Sequence, residues 1–156
     1  MDEEVTGLRR KTRIAALKTL YEIDSSAHKP EEVLARILQE KPLSESAVVF
    51  ASNLVTGVLQ NKQSIDDTIR RFAPLFPVKQ IAIIDRNILR LSIFEILFDN
   101  NVPVKAVVNE AVELAKSFGT DTSPKFINGV LGSVVADLSP AERNQRMGMG
   151  YKEART

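Results

Sequence analysis

The stretch "RRKTR", residues 9–13, puts four cations into five positions. Clustered arginines suit phosphate, because each guanidinium presents a planar fork of N–H donors and a neighbouring lysine adds a compact point charge. No acid occurs between Val5 and Tyr21, and Lys18 extends the positive run. Hydrophobic spacing places Arg9, Arg10, Lys11 and Arg13 at the start of a helix, the end at which the macrodipole disfavours cations. Residues that break a stability rule without evident compensation are candidates for function. The function indicated is a site for a polyanion; a solvated helix end is the bland reading of the same residues.

Other reactive chemistry is scarce. The chain has no Cys and one His, His28, so disulfides, thiolate nucleophiles and His/Cys metal clusters are excluded. No glycine-rich phosphate loop follows a strand, and no catalytic residue, metal or cofactor is expected. The acidic pairs Glu31-Glu32 and Asp66-Asp67 are assigned to first helical turns, where carboxylates complement the helix dipole. Asp85, Arg86, Arg90 and Glu95 interrupt the otherwise apolar "IIDRNILRLSIFEI". Because an unpaired buried charge is costly, each must reach an opposite charge, a helix end or the surface. Ion pairing within the fold and a contact surface for another protein are both open for these four.

The elements that carry these residues read as all-α, since apolar residues recur at intervals of three and four and alternation is rare. Seven helices are expected. The first runs from about Leu8 to Asp24 and turns Ile14, Leu17, Leu20 and Tyr21 to one side. The second begins at Pro30, suited to the first helical position, with Val33, Leu34, Ile37 and Leu38 inward. The third, about Ser44 to Asn61, carries Val48, Ala51, Val55 and Val58. Ser64 with Asp67 resembles a capping box and starts the fourth, which passes through Ile69 and Phe72. "APLFP", residues 73–77, marks the internal boundary, because two prolines three apart cannot lie in one regular helix. The fifth, about Val78 to Asn100, is apolar almost all round and must be central. Pro103 opens the sixth, with Val104, Val107, Val108, Ala111, Ala115 and Phe118 inward and Gly119 as a C-terminal glycine cap. Ser123-Pro124 starts the seventh. There Gly129, Gly132, Ser133 and Ala136 share one side, and their missing bulk is expected to admit the backbone of the fifth helix, which would offset the roughly 1 kcal/mol an interior glycine costs. Residues 139–156, "SPAERNQRMGMGYKEART", read as a disordered tail.

A length of 156 residues suits a single domain, and the net charge of only +1 makes the local cationic cluster more informative than the total. The start Met1-Asp2-Glu3-Glu4 is acidic where a signal peptide would be basic, and no apolar run approaches the roughly 18 residues that span a bilayer. A reducing cytoplasm is the expected location, with no membrane association.

Four stretches in order, "RRKTRIAALKTLYEID", "LVTGVLQNKQSID", "IDRNILRLSIFEILF" and "VPVKAVVNEAVELAKSFGTDTSPKFINGVL", resemble the NusB family of transcription antitermination factors. The likeness runs from about Arg9 to Leu138 and is most specific in the last stretch. It implies a seven-helix NusB-like bundle in two subdomains, residues 8–73 and 78–138, within one domain spanning 1–138. It also implies a factor without enzymatic activity that pairs with the ribosomal protein NusE. Together they would bind boxA, a single-stranded element of ribosomal RNA leader transcripts, and join other Nus factors and RNA polymerase.

Mapped onto this chain, the family's arginine-rich motif falls on Arg9, Arg10, Lys11 and Arg13, and its RNA-contacting aromatics on Tyr21 and Phe118. Single-stranded RNA needs both, cations for phosphates and flat faces for unstacked bases. The NusE surface would draw on Lys79, Gln80 and Asp85. Thr122 stands where family members often carry an acid before the serine matching Ser123, with Asp121 one place earlier, and is carried as a further RNA-contacting position. Two other classes share features: a NusB-like RNA-binding domain related to ribosomal RNA cytosine methyltransferases, which the chain's length and lack of Cys disfavour, and a helical protein-interaction module.

Overall fold

The computed structural model describes residues 3–99 and 102–138, with side chains from Arg9 onward in the first helix. Among them are seven α-helices and no strand, as the hydrophobic spacing requires: α1 Glu3–Ser25, α2 Pro30–Glu40, α3 Glu45–Gln60, α4 Lys62–Phe72, α5 Ile83–Leu97, α6 Val104–Phe118 and α7 Ser123–Ala136. The expected tail, 139–156, lies outside the described residues.

The chain divides into two compact units, one ending at Asn61 and the other beginning at Lys62. In the first, α1 packs on α2 and α3. Ala16, Leu17 and Leu20 of α1, Val33 and Leu34 of α2, and Ala51, Leu54, Val55 and Val58 of α3 fill its core. Pro30 opens α2 as expected, and the Ser44 hydroxyl caps α3 by accepting from the Ala47 N–H at 3.3 Å. Tyr21 departs from the expected inward side; it is 43% exposed, because Leu17 and Leu20 turn the buried stripe away from it.

In the second unit α5 touches α4, α6 and α7. Every residue from Asn87 to Ile93 is buried, close to two full turns, so protein covers this helix on all sides, as its apolar circumference demands. The helix is shorter than its apolar run: residues 78–80 form a separate 3-10 turn and α5 starts only at Ile83, with Arg86 Nη1 donating back to the Lys79 and Ile81 carbonyls at 3.1 and 3.3 Å.

Helix α4 belongs with α5 and α7, so the division between units falls at residues 61–62 and not at the prolines of 73–77. The prolines end α4, yet Ile65 and Ile69 are buried and hold it in the second unit. Nor is Ser64 a cap: α4 starts at Lys62, directly after Asn61, whose side chain donates to the Gly57 carbonyl at 2.8 Å and closes α3.

Three expectations about the end of the chain change. Gly119 follows α6, but at φ −94° it is not the left-handed cap. Its requirement is space, since a Cβ there would lie against the Ser123 hydroxyl and 2.8 Å from the Ala115 carbonyl. Ser123 is the first residue of α7, and its hydroxyl accepts from the Thr120 N–H at 2.9 Å, bracing the turn 119–123 and not the helix ahead of it. Finally, Gly129, Gly132, Ser133 and Ala136 are all exposed, and a Cβ on either glycine would meet nothing within 4 Å. Ile127, Val130, Leu131 and Val134 form the packed side of α7 instead. The small residues admit no neighbouring helix.

Candidate nucleic-acid interface

The sequence-derived site residues fall into two sets, one in each unit. The first lies on α1. At 100° per residue, Arg10, Lys11, Ile14, Lys18 and Tyr21 cluster on one side of the helix, opposite the stripe formed by Thr12, Ala16, Thr19 and Leu20. The burial pattern agrees: Arg10, Lys11, Lys18 and Tyr21 are exposed and Ile14 half-buried, whereas Thr12, Ala16 and Thr19 are wholly buried and Leu20 nearly so. Arg9 is half-buried at the margin of this face, its guanidinium 6.0 Å from the centre of the Phe50 ring on α3. A cation held against an aromatic ring keeps its charge while its motion is reduced.

Arg13 does not share this face. It is 4% exposed and stands one turn before the buried Leu17, on the inward side. The expectation that all four cations stand on an open helix start therefore fails twice. Helix α1 begins at Glu3, so all four lie beyond its first turn and the dipole does not oppose them. Arg13 is also turned inward, where a buried guanidinium offers no fork to a phosphate in solution. Arg10, Lys11 and Lys18 carry the exposed positive charge of α1, with Arg9 beside them. Tyr21 lies three turns beyond Arg10, about 16 Å along the helix.

The second set belongs to the C-terminal unit. Phe118, the last residue of α6, is 36% exposed, and Thr122 is exposed in the turn to α7, its hydroxyl 3.3 Å from that of Thr120. Lys79 and Gln80 are exposed in the 3-10 turn, and Asp85 is half-buried in the first turn of α5. One carboxylate oxygen of Asp85, Oδ1, is buried and has no hydrogen-bond partner. A buried acceptor left unmatched costs about 1–3 kcal/mol. The positive end of the α5 dipole lowers that cost for an anion in the first turn, and a donor supplied from outside would remove it.

Among the remaining charges of α5, Arg90 is resolved as internal. It is 6% exposed and grips Asp66 of α4 with both prongs, Nε to Oδ1 at 2.9 Å and Nη2 to Oδ2 at 3.1 Å, while Nη1 reaches the Asn87 side-chain carbonyl at 3.3 Å. Glu95 is also buried. Asp66 is therefore not a first-turn carboxylate answering a helix dipole, because α4 starts at Lys62 and the side chain points into the unit. Its one legible signal was position: Ile65, Asp66 and Ile69 share an i, i+1, i+4 face, which places Asp66 beside the core. Asp67 does face solvent, where it pairs with Arg70. No described helix is long and apolar enough to cross a membrane, and the described residues hold no His/Cys/Asp/Glu group arranged for a metal ion.

The chain's relatives agree on one family. The profile described as the NusB family matches residues 10–136. The transcription antitermination protein NusB of Dehalococcoides mccartyi strain CBDB1 is 51% identical over 142 residues, covering 91% of this chain and 99% of the relative. A crystal structure of NusB from T. maritima superposes with a TM-score of 0.81 at 33% identity, over 88% of this chain and 96% of that one. A complex of the antitermination factors NusB and NusE with double-stranded RNA contains a chain that matches at TM-score 0.75 and 26% identity, over 81% of this chain and 95% of that one.

Proposed function

Because the chain belongs to the NusB family, we propose that it is a transcription antitermination factor without enzymatic activity, acting in the cytoplasm. It binds the boxA element of ribosomal RNA leader transcripts together with NusE and joins RNA polymerase and other Nus factors. The observation that carries this reading is the exposed cationic and aromatic face of α1, Arg10, Lys11, Lys18 and Tyr21, on a fold shared with a protein solved together with NusE and RNA. That solved RNA is a duplex, whereas boxA acts as a single strand. Exposed arginine, lysine and tyrosine suit a single strand, since its bases are free to stack. Phe118 and Thr122 supply a second contact region. The relatives named above are antitermination proteins and not methyltransferases, which favours this reading over that rival.

NusE is assigned to Lys79, Gln80 and Asp85. The unmatched Asp85 Oδ1 supports the assignment, because a donor from a partner would satisfy it on binding. RNA and NusE then bind one protein by different residues, and any coupling between them is reciprocal: a tenfold gain in RNA affinity caused by NusE, about 1.4 kcal/mol, requires the same gain for NusE caused by RNA.

The test is a titration of the full chain with boxA-like single-stranded RNA, with and without NusE. Arg9→Ala/Arg10→Ala is expected to weaken RNA binding and to reduce the slope of log affinity against log salt by about 0.7 for each phosphate that is no longer neutralised. Asp85→Lys is expected to weaken NusE binding while leaving RNA binding by the free protein nearly unchanged. An unaltered RNA affinity and salt slope in the double variant would remove α1 from the RNA site.

A further inference from the structure

A pocket of about 400 Å³ opens between α1, α2 and the loop that follows α2. Its floor is aliphatic, made by Ile14 of α1, Ile37 of α2 and Leu43 of the loop, and its rim carries Lys11, Lys18 and Lys41. None of these three lysines has an ion-pair partner among the described residues, although Glu40 stands beside them.

Composition constrains the occupant. A neutral apolar molecule would leave three rim cations unanswered, and a bare inorganic anion would leave the aliphatic floor wet. The ligand that uses both parts has a flat, weakly polar ring flanked by negative charge. The volume is at the small end for ligand sites, enough for one ring with its sugar and too small for the apolar face of a peptide helix. Glu40 adds an acceptor suited to an exocyclic amino group. Lys11 belongs to the pocket rim and to the cationic run at once, so a strand whose phosphates follow α1 passes the mouth of the pocket.

We propose that this is a nucleotide pocket, in which Ile14, Ile37 and Leu43 receive one unstacked base of a bound single-stranded RNA while Lys11, Lys18 and Lys41 hold the adjoining phosphates. The proposal rests on the RNA-binding reading above and adds to it a defined place where one base leaves the stack. Only Lys11 was legible as a site residue in the sequence. Ile14 and Lys18 share its face of α1, and Ile37, Glu40, Lys41 and Leu43 are brought to it by the packing of α2 on α1.

The experiment uses the full chain and a short single-stranded RNA carrying a boxA-like sequence, with fold checked by circular dichroism and thermal denaturation. Lys18→Glu and Lys41→Glu are each expected to weaken binding by roughly tenfold or more and to flatten its salt dependence, whereas Lys29→Glu, the same change on an exposed lysine outside the pocket, costs less than about threefold. Leu43→Trp fills the floor without altering charge. Abasic substitutions scanned along the RNA are expected to reveal one position whose base contributes about tenfold to wild-type affinity and nothing to the affinity of Leu43→Trp.

The pocket assignment is overturned, and the family reading left standing, if Arg9→Ala/Arg10→Ala weakens RNA binding but the pocket variants behave like Lys29→Glu. Both fall if the wild-type chain has no RNA affinity with or without NusE. Free nucleoside monophosphates are the second arm. If they compete at the pocket as well as the oligonucleotide does, the ligand is a free nucleotide, and if an acidic peptide binds there while RNA is unaffected, it is a peptide. Either result rejects the RNA assignment.

Discussion

Each unit of the protein ties two of its helices together with a carboxylate and an arginine, and the two ties sit in opposite surroundings. In the N-terminal unit Glu22 of α1 binds Arg36 of α2 and, at 2.8 Å, the His28 ring. Half of the Arg36 side chain and most of the His28 ring remain in water. In the C-terminal unit Asp66 of α4 binds Arg90 of α5 with side chains only 11% and 7% exposed. The chemistry is the same, but water screens the first tie and is excluded from the second. An exposed pair contributes little because solvent serves its charges almost as well. A buried pair adds little beyond an apolar replacement, yet cannot lose one partner without stranding the other. The N-terminal unit thus keeps Lys11, Lys18 and Arg36 on the surface, although Arg13 is buried, while the C-terminal unit uses its central arginine to fix α4 against α5.

The largest expected effect comes from splitting the buried tie. Asp66→Ala removes the carboxylate that answers both prongs of the buried Arg90 guanidinium and should destabilise the protein by about 3–5 kcal/mol in urea unfolding, whereas Asp66→Leu with Arg90→Met together should cost far less. Equal losses in the single and double variants would mean that packing, and not the stranded charge, sets the cost.

Next comes the braced turn of the same unit. Gly119→Ala forces a Cβ against the Ser123 hydroxyl and the Ala115 carbonyl, and should cost about 1–3 kcal/mol. If thermal denaturation showed no loss, the close approach of α6 to the start of α7 would not be needed for stability.

The exposed side of α7 sharpens the contrast from the other direction. Gly129→Ala and Gly132→Ala add a methyl into open space in a helix interior, and each should stabilise by about 0.5–1 kcal/mol. A destabilisation would indicate that this side is covered in the protein as it exists in solution.

The smallest effect belongs to the exposed tie. Hydrogen bonds from Arg36, and then from His28, hold the Glu22 carboxyl below its ordinary value of 4.5. A carboxyl depressed in the folded state contributes stability that is present above the unfolded value and is lost as pH falls through the lower, folded one. Glu22→Gln should remove a shallow decline in stability below about pH 4.5 and change little at neutral pH. A large loss at pH 7 would show that the surface pair is worth more than its exposure allows.

Much of the fold was legible because helix formation and burial leave periodic marks. The apolar circumference of α5 announced its central position, and Pro30, Ser44 and Pro124 marked helix starts through local chemistry that needs no tertiary partner. The cationic run of α1 was legible for the same reason: four cations in five residues are visible without a structure. Periodicity also misled where it met tertiary contact. The prolines of 73–77 read as a boundary, yet the burial of Ile65 and Ile69 carried α4 into the second unit. Gly129 and Gly132 read as a packing stripe because small residues at spacings of three and four satisfy both a close contact and an open surface.

By itself, then, the sequence determined the all-α class, the order and approximate limits of the helices, the family and the polyanion-seeking chemistry near the N-terminus, because each depends on residue type and spacing along one segment. Only the tertiary structure decided which cations are available. Arg10 and Arg13 are three residues apart on one helix, yet packing turns Arg13 inward and leaves Arg10 exposed. It also decided that Asp66 meets Arg90 from 24 residues away and that Lys41 joins Lys11 and Lys18 around one pocket. Such pairings depend on how helix faces are buried against one another, a property of the packed chain that no single segment contains.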